Sequence, residues 1–138
     1  MMFLDANVIL RFLTRDDPEK AQHCFELLQR CDRGEVELTT SESVIAEVVY
    51  VLASPRLYHL PPRRIHDLLL PIINLRGLRL SSRHLYRRAL GHYARRGIDF
   101  ADALTVAHME QEGISEIVSY DRHFDRIEGI SRLEPSPQ

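Results

Sequence analysis

Three acidic residues interrupt segments of the chain that are otherwise apolar. Asp5 follows the apolar N-terminal run, and Glu47 and Asp102 lie within apolar stretches at residues 44–52 and 100–107. A carboxylate in or near a core must be hydrogen-bonded, paired or bound to a metal, because burying an unpaired charge is strongly unfavourable. Any fold for this chain must therefore provide a partner for these acids.

A divalent cation is the simplest partner for them. Carboxylates that converge raise the pKa of at least one of them unless a cation lies between them. The chain has one lysine, Lys20, which lies in none of these segments, and its histidines show no metal-binding spacing. Oxygen ligands favour hard ions over Zn²⁺. We therefore expect one or two Mg²⁺ or Mn²⁺ ions.

Length and composition predict one ordinary domain. The 138 residues are 44% hydrophobic and 28% charged, as in globular proteins without a membrane segment. We expect a single domain over residues 1–133, a loose tail over 134–138, and a cytoplasmic protein that makes no membrane contact. Cys24 and Cys31 lie in a predicted helix, about 10 Å apart along its axis, which is too far for a disulfide.

The basic residues are unevenly distributed. Ten arginines lie between residues 56 and 96, although the net charge of the chain is −2. Such a segment favours an anionic partner, since arginine binds phosphate in a bidentate manner. The alternative is that these arginines only cap and solubilise helices. As candidates for contacts to such a phosphate backbone, on one broad basic face, we name Arg79, Arg83, Arg87 and Arg88.

Short apolar segments alternate with helical patterns along the chain. This alternation predicts a three-layer α/β/α sandwich with a mainly parallel sheet. Ligands bind at the carboxyl ends of such strands, where Asp5 and Asp121 would lie. The predicted strands are 2–5 (buried), 36–39, 77–80, 116–119 and 130–133, and the predicted helices are 7–13, 18–33, 41–53, 63–75, 82–96 and 99–112.

Each acid also has a purely structural explanation. Asp5 and Asp99 can be helix N-caps, and Asp102 would then lie in a first turn, where acids are favoured. Asp121 and Asp125 can initiate turns. Glu47 can emerge on the solvated face of its helix, although its apolar neighbours favour a mostly buried one.

Four motifs in this order and spacing resemble the PIN-domain family, and most closely its VapC-type toxin ribonucleases. The resemblance covers nearly the whole chain. Its landmarks are residues 3–9 with Asp5 and Asn7, residues 43–49 with Glu47, residues 99–104 with Asp102, and residues 117–124 with Asp121.

The resemblance implies a metal-dependent ribonuclease that hydrolyses RNA phosphodiester bonds. The family's acidic ligands would fall on Asp5, Glu47, Asp102 and Asp121. Whether Asp99 or Asp102 holds the metal stays open. Members of this kind usually dimerise and are inhibited by a small antitoxin protein, so we expect both partners. Supporting roles around the metal are expected for Asn7, Asp99, Ser119 and Asp125.

Other functions fit the sequence less well. Receiver domains and haloacid-dehalogenase-like phosphatases also place acids at strand ends, but they need a lysine nearby, and Lys20 lies early in a helix. Nucleotide-binding glycine motifs are missing. The main alternative is a PIN-like module that binds RNA or protein without cutting RNA.

Overall fold

The strands and helices alternate, as the sequence predicts. The computed structural model describes residues 1–136, so residues 137 and 138 of the predicted tail lie outside the described part. The strands are β1 (Met2–Phe3), β2 (Leu38–Thr39), β3 (Leu78–Arg79), β4 (Glu116–Val118) and β5 (Ser131–Leu133). The helices are α1 (Ala6–Thr14), α2 (Pro18–Asp32), α3 (Glu42–Ala53), α4 (Pro62–Ile73), α5 (Arg83–Arg96) and α6 (Phe100–Glu112), with a 3₁₀ helix at Arg122–Arg126.

All strand pairs are parallel, which confirms the predicted α/β class. The order β1-β2-β3 forms one sheet, and β4 pairs with β5 in a second one. Phe3, Thr39 and Arg79 lie side by side at the carboxyl end of the first sheet. The parallel strands thus form two sheets, where one mainly parallel sheet was expected.

The first strand is not buried, contrary to the prediction for residues 2–5. Met2 and Phe3 are 56% and 59% exposed, whereas Leu4 is 2% exposed. The reason is that β1 has a strand partner only on the side of β2. Thr40 Oγ1 donates to the Leu4 carbonyl at 2.9 Å, so the chain turns inward just before Asp5.

Side-chain caps begin several helices where the sequence predicts them. Asp17 Oδ1 accepts from the Lys20 N–H at 3.1 Å. Ser41 and Ser82 occupy the corresponding positions before α3 and α5 and accept amide hydrogen bonds there. These caps satisfy amide groups that a helix start leaves without partners.

The main core lies between the first sheet and the helices. Its fully buried members come from each layer and include Ile9, Ile45, Leu69, Leu78 and Leu90. A smaller cluster of Val106, Phe124 and Ile127 supports the second sheet. Cys24 and Cys31 are free thiols, which confirms that they form no disulfide. None of the helices within residues 1–136 is long and apolar enough to span a bilayer.

Helices α5 and α6 form an antiparallel hairpin. Near the start of α5, Ser82 Oγ donates to Gln111 Oε1 at 3.0 Å. Near its end, the rings of Tyr93 and Phe100 meet edge to face with centroids 5.8 Å apart. The start of α6 and the end of α5 therefore lie together, and this end carries Asp99.

Gly77 allows α2 to approach the strand that follows α4. Its N–H donates to the Cys31 carbonyl at 2.9 Å, and its carbonyl accepts from the Leu38 N–H at 2.9 Å. A Cβ atom at this position would lie 2.5 Å from the Cys31 carbonyl oxygen and closer still to that of Val36. Both oxygens belong to the backbone, which cannot move away from a new Cβ atom as a flexible side chain could.

Gly77→Ala is therefore expected to lower the free energy of unfolding by roughly 2 kcal/mol or more, because overpacking against backbone displaces it. Denaturant unfolding of both proteins measures the difference. The matched control is Ser81→Ala at an exposed position of the loop between β3 and α5. A Gly77→Ala protein as stable as the Ser81→Ala protein would contradict the packing described here.

Candidate active site

The carboxylates of the apolar segments face outward more than expected. Asp5 and Glu47 are exposed and Asp102 is half-buried, so the expectation that they sit within core is wrong. Helix periodicity explains Glu47, because Val44 and Val48 turn their side chains into the core on another face of α3. Glu47 is therefore exposed at the surface, although its apolar neighbours in sequence pack into the core.

Asp5 lies where β1 ends and α1 begins. It occupies the N-cap position of α1, yet its side chain makes no capping hydrogen bond. Asn7 is exposed in the first turn of the same helix. A capping role therefore does not explain Asp5, whose carboxylate is free at the carboxyl end of the first sheet.

Three carboxylates act on one another at the start of α6. Asp99 holds the N-cap position without a capping bond, and Asp102 lies in the first turn. Burial raises the pKa of Asp102, and the carboxylates of Asp121 and Asp99 raise it further, while His123 acts in the opposite direction. The fold therefore brings these three acids together, although they come from a helix start and from the loop after β4.

Hydrogen bonds hold Asp121 in one orientation. Its Oδ1 accepts from the backbone N–H of His123 at 2.9 Å and lies 2.6 Å from His123 Nδ1. These two bonds, the backbone one foremost, lower the pKa of Asp121. The N–H of Asp121 donates to Ser119 Oγ at 2.9 Å. Ser119 thus shapes this loop.

His123 is the residue at this loop that the sequence analysis missed. A lone histidine in a turn gives little signal, and its spacing of two residues from Asp121 is common in turns. The structure shows it as the direct hydrogen-bond partner of that carboxylate.

Asp125 is bound to Arg132 instead of supplementing Asp121. The Arg132 Nε and Nη2 atoms donate to its two oxygens at 2.9 and 3.3 Å. This bidentate contact lowers the pKa of Asp125. Arg132 Nη1 also donates to the Ser119 carbonyl at 2.9 Å. The geometry therefore gives Asp125 a structural role, in which it anchors β5 to the loop of Asp121.

Glu47 lines the same groove as Asp99, although the two acids lie on different helices. The groove lies between α3 and the α5–α6 connection and has a volume of about 670 Å³. At its far side, Glu42 Oε1 and His108 Nε2 are 2.8 Å apart and join α3 to α6. We call it the α3–α6 groove, and its lining includes Ser43, Glu47, Tyr50, Tyr93, Asp99 and Phe100.

The four arginines of the predicted basic face are engaged by different parts of the fold. Arg79 lies in β3, where it pairs with Glu37. Nη2 of Arg83 donates to the carbonyls of Leu75 and Leu78, so this guanidinium is committed to the backbone before and within β3.

The two remaining candidates lie at the far end of the α5–α6 hairpin. Nε of Arg87 donates to Asn74 Oδ1 at 2.7 Å, and Nη1 of Arg88 lies 3.1 Å from Glu110 Oε2. Glu110 lies about 12 Å along α6 from Asp102, given a rise of 1.5 Å per residue. The arginines nearest Asp99 in the hairpin are instead Arg95 and Arg96, in the last turn of α5.

The donor set fits a hard divalent cation by chemistry. Every acid gathered here offers carboxylate oxygens, and Asp5 and Asp99 have no capping bond to give up. Burial and the neighbouring carboxylates both disfavour the charged form of Asp102, and a cation would offset both effects. Within residues 1–136, no three His, Cys, Asp or Glu side chains are close enough together to hold an ion as they stand. Binding therefore requires further convergence of these side chains.

Comparison with known proteins agrees with the motifs. The PIN domain family model matches residues 2–130. The chain is 27% identical over 135 residues to a protein of Aquifex aeolicus (strain VF5) named VapC ribonuclease, an alignment that covers 98% of this chain and 97% of that protein.

Asp102→Asn is expected to raise the melting temperature in metal-free buffer at neutral pH. Folded Asp102 holds its proton more tightly than the unfolded chain does, so its ionisation lowers the free energy of unfolding above the folded pKa. Below the ordinary value of 3.8 both states are protonated and the penalty vanishes. The gain in melting temperature should therefore shrink as the pH falls from neutral towards 3.8.

Thermal unfolding in EDTA from acid to neutral pH measures this gain. Glu128→Gln removes an exposed carboxylate outside the cluster and serves as the control. Equal melting temperatures of wild type and Asp102→Asn at neutral pH would refute the like-charge repulsion.

Proposed function

The chain belongs to the PIN domain family, and we propose that it is a metal-dependent endoribonuclease that acts as the toxin of a toxin–antitoxin pair. The observation that carries the proposal is the placement of the acids: Asp5 and Asp99 stand at helix starts without a capping hydrogen bond, and Asp102 lies in the first turn beside Asp99. The similarity to a relative named VapC ribonuclease over nearly the whole chain supports the choice of RNA as substrate.

In this proposal Asp5, Glu47, Asp102 and Asp121 hold one or two Mg²⁺ or Mn²⁺ ions. A bound ion supplies Lewis-acid stabilisation of the phosphoryl oxygens and lowers the pKa of water. His123 keeps the Asp121 carboxylate in one orientation through its two contacts. The products carry a 5′-phosphate and a 3′-hydroxyl, as the family resemblance implies.

Asp99 is suited to guide the attacking water. Its carboxylate makes no capping bond, although it stands at an N-cap position, so it can accept a hydrogen bond from that water and take up a proton. It lines the α3–α6 groove together with Glu47. This assigns Asp102 to the metal and Asp99 to proton transfer.

In this proposal the RNA backbone binds at the end of the α5–α6 hairpin that carries Asp99. Arg95 is exposed, and its guanidinium folds back over Gly91. Arg96 Nε donates to His92 Nδ1 at 3.0 Å, which leaves its terminal nitrogens for a phosphate. We propose Arg95 as the main backbone contact, with Arg96 beside it.

A small antitoxin and a second copy of the chain are proposed as partners, and the cytoplasm as the location. The relative named VapC ribonuclease supports the toxin-type role from which these partners follow. A PIN-like module that binds RNA without cutting it is the rival function, and a cleavage experiment separates the two.

Asp5→Asn and Asp102→Asn should each slow RNA cleavage by more than about 100-fold, the upper figure for loss of a residue that merely supports a metal ligand. EDTA should abolish cleavage, and Mn²⁺ should restore it. The assay follows a labelled RNA of mixed sequence. Glu128→Gln is the matched control and should cut like wild type. Metal binding without any cleavage by the wild-type protein would favour the binding module.

Arg95→Ala should weaken RNA binding and reduce the slope of log K against log salt by about 0.7, the value for one lost contact to a single strand. Arg87→Ala, at the other end of the hairpin, should leave the slope unchanged. Fluorescence anisotropy across a salt series measures both. If Arg87→Ala reduced the slope and Arg95→Ala did not, the RNA contact would lie in the first half of α5, on the predicted basic face.

A further inference from the structure

An exposed aromatic ring stands beside the acids. Tyr50 is 75% exposed, although a tyrosine ring carries a large apolar surface. It lies on α3 three residues after Glu47, and residues at this spacing are neighbours on one helix face. Both side chains line the α3–α6 groove.

The groove is otherwise mostly apolar. Ala46, Val49, Ala53 and Pro55 lie along the α3 side of it, and Phe100 closes the opposite wall. The charged side chains among the described lining residues are the acids Glu47 and Asp99. This lining would repel a phosphate, but it suits a flat, uncharged ring with polar edges.

We propose that the α3–α6 groove binds the nucleobase next to the cleaved phosphodiester, and that Tyr50 is its stacking platform. The inference rests on the proposed ribonuclease function. The sugar joins base and phosphate covalently, so a phosphate held through a metal ion on Glu47 brings its base into the groove that Glu47 lines. Stacking on aromatic side chains is the usual way in which proteins hold unpaired RNA bases.

Two further features make the groove suitable for a base. The hydroxyl groups of Ser43 and Ser54 line it and offer hydrogen bonds to the polar edge of a base. Tyr93 is buried and packs edge to face against Phe100, which fixes the wall opposite Tyr50. The base would therefore lie between the exposed ring of Tyr50 and the packed rings of Tyr93 and Phe100.

Tyr50→Ala should weaken binding of a short RNA by about five-fold to 150-fold, which corresponds to the loss of one stacked base. Tyr50→Phe should retain wild-type affinity, since the ring is kept. Tyr50→Leu should behave like alanine, because an aliphatic side chain offers no π face. Ile114→Ala, which removes an exposed apolar side chain beyond the far end of α6, is the control.

An abasic substitution identifies the base itself. One nucleotide of an RNA pentamer is replaced at each position in turn, and the RNA is checked by gel to be intact after the titration. At one position the substitution should weaken binding to wild type as much as Tyr50→Ala does. The same substitution should have no further effect on the Tyr50→Ala protein.

A fluorescent variant gives a readout independent of cleavage. The chain contains no tryptophan, so Tyr50→Trp introduces a single tryptophan, whose fluorescence can be excited apart from that of the tyrosines. Stacking of a base should quench it, and the abasic pentamer that binds weakly should not.

Three other outcomes would each overturn the proposed base site. If Tyr50→Ala binds and cuts RNA like wild type, the base site is refuted while the ribonuclease function stands. If Tyr50→Ala changes the oligomeric state in light scattering, the groove is a protein interface and the base site is refuted as well. If the wild-type protein neither binds nor cuts RNA, the proposed function fails and the inference fails with it.

Discussion

The packing of α5 against α6 is the contact on which the acidic cluster depends. The edge-to-face contact of Tyr93 with Phe100 fixes the point at which α6 begins, and therefore where Asp99 and Asp102 stand. Next to Tyr93 in α5, His92 is 4% exposed and contacts Glu110 of α6 through Nε2. Burial acts to raise the pKa of Glu110, but His92 and Arg88 lower it overall. This polar contact between the helices keeps Glu110 ionised and paired.

This arrangement separates two kinds of acid in the protein. Glu110 and Asp125 each have cationic partners within the fold, so their charges stabilise it. Burial raises the pKa of Asp102, and the carboxylates of Asp121 and Asp99 raise it further. The packing around Asp102 must therefore offset this unfavourable electrostatic environment in the folded state. Sites that retain such an unfavourable arrangement are often functional.

The order of the elements could be predicted from the sequence, since apolar periodicity and caps such as Asp17 and Ser41 depend on neighbouring residues alone. The carboxyl-edge position of Asp5 followed from the same alternation. Exposure was harder to predict, because an apolar run around Glu47 does not show which face of α3 meets the core. The partners of Arg83 and Asp125 could not be predicted, because they lie in other elements and depend on tertiary packing.

The anchoring of the Asp121 loop has a consequence for the order in which the protein is built. That loop is held by Arg132, a residue of β5, through Asp125 and the Ser119 carbonyl. Chains emerge from the ribosome from the N-terminus onward, so β5 becomes available after every other strand. The carboxylate of Asp121 can take its final place only then. A nascent chain of this protein therefore holds an incomplete acidic cluster until β5 has been synthesised.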